Sequence, residues 1–184
     1  MKNLYAENPA LYKFFHRNLA QAFSDLNLDR GKVLDYLAYV LTHFSRTSNL
    51  YKIKQLGSKK VETVVEMLLE IENRRLQDEP LLENQEVLVR KHIGDFTMFM
   101  SGIFREYVQK MGVLDFYVME GSRSYRHVSE YAQKQYHESS KVFEELSRRF
   151  ENYSGALDYL KKVYFYYPEI DDLIRQTLRQ LLSW

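Results

Sequence analysis

The sequence predicts an all-α protein, a single-domain bundle of about seven helices over residues 1–184 with an apolar helix at its centre. Three observations carry this. Apolar residues recur at three- and four-residue spacing along most of the chain, and no stretch alternates with period two for long enough to make a strand. Only 7 Gly and 3 Pro occur in 184 residues, which suits long helices with short connections. No internal repeat, low-complexity tract or linker divides the chain.

The elements follow in order. Asn8-Pro9 reads as a helix N-cap followed by a proline at the first helical position. Leu11, Phe14, Phe15, Leu19, Ala22, Phe23 and Leu26 then make the inner stripe of a helix over about 8–26, with Lys13, Arg17 and Gln21 outside. Asp29 is placed to cap a second helix, about 30–46, whose core face is Val33, Leu34, Leu37, Ala38, Leu41 and Phe44. Tyr36, Tyr39 and Val40 widen its apolar arc, which predicts neighbours on more than one side. A polar connector, 47–57, leads to a third helix, about 58–77, opened by Ser58. Pro80 interrupts the chain. The fourth helix, about 84–104, starts polar and ends in IGDFTMFMSGIF. A helix that is apolar all round is surrounded by protein, so this end is the centre of the fold.

The fifth helix, about 113–136, has Gly121 in its middle. An interior glycine costs roughly 1 kcal/mol relative to alanine. Gly121 therefore marks either a break or a point of close packing. A sixth helix begins at Ser139 or Ser140, carries Val142, Phe143, Leu146 and Phe150, bends near Tyr153-Ser154-Gly155 and continues towards Tyr167. Pro168 opens the last helix, with Glu169, Asp171 and Asp172 in its first turn, where the helix dipole favours acids.

Charge and composition remove several function classes. With 26 Lys and Arg against 25 Asp and Glu, the net charge is +1, so no global field for nucleic acid or anionic membrane exists. The absence of cysteine removes disulfides, thiolate metal sites and a cysteine nucleophile. The longest apolar stretch, 93–104, carries Asp95 and is too short to span a bilayer. The N-terminus lacks the pattern of a secretory signal, and the expectation is a cytoplasmic protein.

No cofactor signature is present, neither a phosphate-binding P-loop nor a dinucleotide turn. Di-iron bundles need Glu-x-x-His pairs, but Lys13, Val40, Val89, Ser124 and Lys134 stand three residues before the five histidines. The reversed pairs, His92 with Asp95 and His127 with Glu130, are what any charged helix shows by chance. No metal is assigned.

Two constellations stand out. Asp95 lies between Gly94 and Phe96 in the most apolar segment, and a buried carboxylate must be paired, hydrogen-bonded or protonated. Helical spacing aligns it with Phe99, Gly102 and Glu106. It reads either as a ligand anchor or as a structural aspartate bonded to a tyrosine, arginine or helix end on a neighbour. Gly94, Thr97 and Ser101 add a seam of small residues for close helix packing. The second constellation is 121–127. If the chain breaks at Gly121, the free N–H groups of a new helix, with Ser122, Arg123, Ser124, Arg126 and His127, could hold a phosphate or carboxylate. If the helix runs on, Arg123, Arg126 and His127 are an exposed basic face. The ligand reading combines Asp95, Glu106, Ser122, Arg123, Tyr125, Arg126 and His127 in one pocket.

Near the C-terminus, Tyr159, Tyr164, Tyr166 and Tyr167 neighbour Phe165 and the pair Lys161-Lys162. Aromatics among bases can stack on single-stranded nucleic acid. Tyrosine also marks protein interfaces, and the near-neutral charge ranks an interface first.

The motifs Gly94-Asp95, Gly102-Ile103-Phe104, Leu114-Asp115-Phe116-Tyr117 and Gly121-Ser122-Arg123-Ser124-Tyr125, all within 92–131, together resemble an uncharacterised group of bacterial all-helical proteins. The resemblance implies a bacterial origin and no particular activity.

Three functions follow in order. The first is a non-catalytic binding or assembly protein, a homodimer that buries some of these tyrosines or Trp184. The second is a protein, with or without catalysis, that binds a small ligand or anion near Asp95 and Arg123. The third, a nucleic-acid accessory protein, is disfavoured by charge.

Overall fold

The structure, a computed structural model, describes residues 8–29, 31–46, 64–77, 81–166 and 172–182, and every regular element among them is an α-helix. These are α1 (Pro9–Asp25), α2 (Lys32–Phe44), α3 (Val64–Leu76), α4 (Glu83–Ile103), α5 (Arg105–Lys110), α6 (Leu114–Lys134), α7 (Ser140–Arg148), α8 (Phe150–Tyr164) and α9 (Asp172–Leu182). The connector 47–57, the caps expected at Ser58 and Pro168, and Pro80, Tyr167 and Trp184 lie outside the described residues.

The expected start of α1 is present. Asn8 Oδ1 accepts a hydrogen bond from the Leu11 N–H at 3.1 Å, and Pro9 occupies the first turn. Asp29 does not cap α2. Gly31 holds the N-cap position and no side chain bonds the free N–H groups there. Tyr36 and Val40 are buried along with the inner stripe of α2, as the wide apolar arc predicts. That helix packs against α1, α4 and α7.

The centre is α4, with Ile93, Met98, Phe99 and Ile103 fully buried. It lies against α6 and α8 over most of its apolar half. The small-residue seam makes this approach possible. A Cβ added at Gly94 would sit 2.7 Å from the Tyr125 ring, and one at Gly102 would sit 2.5 Å from Leu157 Cβ.

Gly121 is a packing point and not a break. The helix α6 runs through it unbroken, and a Cβ there would collide with the Phe150 ring and Thr97 Oγ1. Three helices, α4, α6 and α8, therefore meet where only glycine fits.

The sixth predicted helix is divided, but at Arg149 and not at Tyr153-Ser154-Gly155. Arg149 has φ −121° and ψ 33°. Its N–H still bonds Glu145 O at 3.0 Å, and the Tyr153 N–H bonds Arg149 O at 3.2 Å, so the ladder bends without being lost. Phe104 makes a similar bend, φ −109° and ψ 29°, which separates the short α5 from α4. One apolar cluster extends from Leu11 through these helices to Leu181. Among the described residues no helix is long and apolar enough to cross a membrane.

Candidate functional site: a tyrosine-walled cavity over a buried charge network

Asp95 is 5% exposed and fully partnered. Its Oδ1 accepts the hydroxyl protons of Tyr36 at 2.5 Å and of Tyr125 at 2.9 Å. Its Oδ2 accepts from the Lys91 ammonium at 2.5 Å. Three helices build this arrangement. Lys91 and Asp95 lie one turn apart on α4, Tyr36 comes from α2 and Tyr125 from α6. Gly94, beside Asp95, leaves the space that the Tyr125 ring fills.

The two tyrosine rings whose hydroxyls reach the carboxylate both pack on Phe143. Tyr36 meets Phe143 edge to face with centroids 5.1 Å apart, and Tyr125 lies 5.7 Å from the same ring. The Lys91 ammonium sits 5.1 Å from the Tyr36 ring centroid and 5.4 Å from that of Tyr39, within reach of a cation–π attraction.

Burial, and next the Asp95 charge, raise the Tyr36 and Tyr125 hydroxyls well above the ordinary tyrosine value. For Lys91, burial pulls downward, but the charge and hydrogen bond of Asp95 outweigh it and its value is raised. These three groups therefore keep their protons through the neutral range. They hold fixed charges and dipoles, whereas a general acid or base works best with a pKa near the operating pH.

Two members of the network, Lys91 and Tyr36, line a cavity of about 780 Å³, with Lys91 at its floor, while Asp95 and Tyr125 are not among its lining residues. Tyr12, Tyr36, Tyr39, Val142 and Phe143 form its walls, and Lys91 reaches it from below. The turn between α6 and α7 supplies Tyr136, His137, Glu138 and Ser139. Tyr136 has φ 52°, a left-handed conformation that turns the chain back at the end of α6. His137 Nδ1 accepts the Ser139 N–H at 3.2 Å, which holds the turn. At the exposed rim the Lys32 ammonium meets Glu138 at 2.8 Å. Asp35 meets His16 at 3.0 Å.

The seven candidate residues do not share one pocket. Asp95 and Tyr125 come together as partners. Arg123 is 61% exposed in its side chain and pairs with Glu120 at 2.8 Å. Arg126 is exposed. Ser122 donates its hydroxyl to Ser147 O at 2.8 Å. His127 Nε2 lies 3.9 Å from Glu86. Glu106, on α5, is 62% exposed and faces Lys162 at 3.7 Å. The anion nest that a break at Gly121 would make is not formed, because the unbroken α6 uses those N–H groups within the helix. Among the described residues no cluster of three metal-ligating side chains occurs.

Sequence reasoning missed Lys91, Tyr12 and the 136–139 turn. Lys91 had a signal, since it stands four residues before Asp95 and shares its helical face. The C-terminal tyrosines are less available than composition suggested. Tyr159 and Tyr164 both donate to Asp25 Oδ2, at 3.2 and 2.7 Å. Lys162 is held by Asp158 at 2.9 Å. Tyr166 remains 69% exposed. No protein-family profile, curated protein or solved structure matches the chain.

Proposed function

We propose that this protein binds a small molecule in the tyrosine-walled cavity above Asp95. One observation carries the reading. Lys91 and Tyr36, both anchored on the buried Asp95 carboxylate, line an aromatic cavity of about 780 Å³, within the range of drug-sized ligand sites, roughly 300–1,000 Å³. Such sites combine apolar walls with a few fixed polar groups that set orientation, and Lys91 with Tyr36 has that character. Tyr36, raised by burial and by Asp95, and Lys91, whose burial is outweighed by Asp95, keep their protons through neutral pH and so present fixed donors. Self-association draws less support, because Tyr159 and Tyr164 spend their hydroxyls within the chain.

The test is a fragment screen by ligand-observed NMR on the parent and on Val142→Trp. The larger side chain occupies the cavity from α7, where Val142 is 8% exposed. Aromatic fragments should bind the parent, and the variant should lose them while keeping its helical spectrum. Fragments that bind both proteins equally, or neither, would remove the proposal.

A further inference from the structure

We infer that the ligand is a neutral, flat aromatic molecule with a hydrogen-bond acceptor, and that the Lys91 ammonium holds this acceptor at the cavity floor. The inference rests on the cavity being a ligand site and adds the class of molecule.

Charge balance supplies the first argument. The lining carries Lys32 and Lys91 against Asp35 and Glu138, and Asp95 stands directly behind Lys91 at 2.5 Å. An anion at Lys91 would face the Asp95 carboxylate across a single ammonium, with Asp35 and Glu138 at the cavity lining. A cation at the floor would meet Lys91 itself. Either charge meets a like one nearby, and bringing a charge out of water needs a dedicated partner that is not already neutralised. A neutral acceptor uses the donor and suffers neither repulsion.

Donor inventory supplies the second. An ammonium has three N–H donors. One is directed at Asp95, and Nζ otherwise lies against the Tyr36 and Tyr39 rings, both of which line the cavity. A carbonyl, ether or ring nitrogen arriving between these rings accepts a charge-assisted hydrogen bond, which is stronger than its contacts to ring faces.

Wall chemistry supplies the third. Tyr12, Tyr36, Tyr39 and Phe143 present rings from α1, α2 and α7. Aromatic side chains pair best with other π systems in offset or edge-to-face geometry. A flat aromatic body can meet several of these rings at once, where a branched aliphatic one meets few.

The test uses four probes on one naphthalene skeleton: 2-naphthamide, 2-methylnaphthalene, 2-naphthoate and 2-naphthylmethylammonium. Each is titrated at neutral pH by ligand-observed NMR against the parent, Lys91→Met and Val142→Trp. On the parent, 2-naphthamide should bind about tenfold or more tightly than the other three, the scale of one hydrogen bond to a charged donor. In Lys91→Met the advantage of the amide over 2-methylnaphthalene should disappear. Val142→Trp should block all four. If the amide binds no better than the hydrocarbon, or if the naphthoate or the ammonium binds best, the ligand class is wrong while the cavity stands. Binding of all probes that Val142→Trp leaves intact would overturn the cavity reading as well. The ranking on the parent decides the matter even if Lys91→Met does not fold.

Discussion

Asp95→Asn, taken together with Lys91→Met, measures how strongly the buried network is coupled. In the parent the Asp95 carboxylate is 5% exposed and accepts three hydrogen bonds. Asparagine keeps a carbonyl oxygen for Tyr36 and Tyr125. It brings no charge to Lys91, and its amide N–H groups repel the ammonium. Removing one partner of a buried pair costs about 3–5 kcal/mol when the other is left fully buried. The Lys91 side chain is 30% exposed, so partial rehydration reduces this to about 2–3 kcal/mol. Lys91→Met has a similar cost of about 2–3 kcal/mol, because Asp95 loses its counterion but keeps two phenol donors. The double variant removes both charges together and should cost at least ~1.5 kcal/mol less than the sum. Urea denaturation followed by circular dichroism reads these values. With a slope near 2 kcal/mol/M, each single variant should lower the midpoint by about 1–1.5 M at unchanged slope. Midpoints of both single variants within experimental error of the parent, or strictly additive costs in the double, would refute the coupled network.

Other outcomes follow from the same geometry. Gly121→Ala should destabilise the protein by about 1–3 kcal/mol through collision with Phe150 and Thr97, outweighing a helix-propensity gain of about 1 kcal/mol; a raised melting temperature would contradict the packing. Because Tyr36, Tyr125 and Lys91 hold their protons more tightly when folded, their stabilisation is complete below the ordinary tyrosine value of 10.0 and is lost as pH rises through the raised folded values. The urea midpoint should therefore fall above about pH 10, and more gently in Tyr36→Phe/Tyr125→Phe; a midpoint that climbs in that range would show the sign to be wrong. Phosphate and sulfate, compared at constant ionic strength, should shift the melting temperature equally in the parent and in Arg123→Ala/Arg126→Ala, since α6 offers no free N-terminus at Gly121. A larger shift in the parent would restore an anion site there.

Local periodicity made most of the helices legible. The Asn8-Pro9 start, the wide apolar arc of α2 and the all-round apolar end of α4 each depend on residues within a few turns of one another, so spacing alone reports them. The need of Asp95 for partners was legible too, because a carboxylate in that apolar segment cannot be left bare. The identity of those partners was not. Tyr36 is 59 residues away and Tyr125 is 30, and only the packing of α2 and α6 on α4 brings their hydroxyls to one oxygen. Gly121 was undecidable in sequence, since a break and a close contact call for the same residue. Phe150 and Thr97, from two other helices, settle it. The bend at Arg149 was hidden for the opposite reason. Leu146, Phe150, Tyr153, Leu157 and Leu160 form one continuous stripe of buried residues, and a stripe reads the same whether the helix beneath it is straight or bent. The cavity is decided wholly by tertiary structure. Its walls come from α1, α2, α4, α7 and the turn after α6, and empty space between helices leaves no mark on the spacing of residues along any one of them.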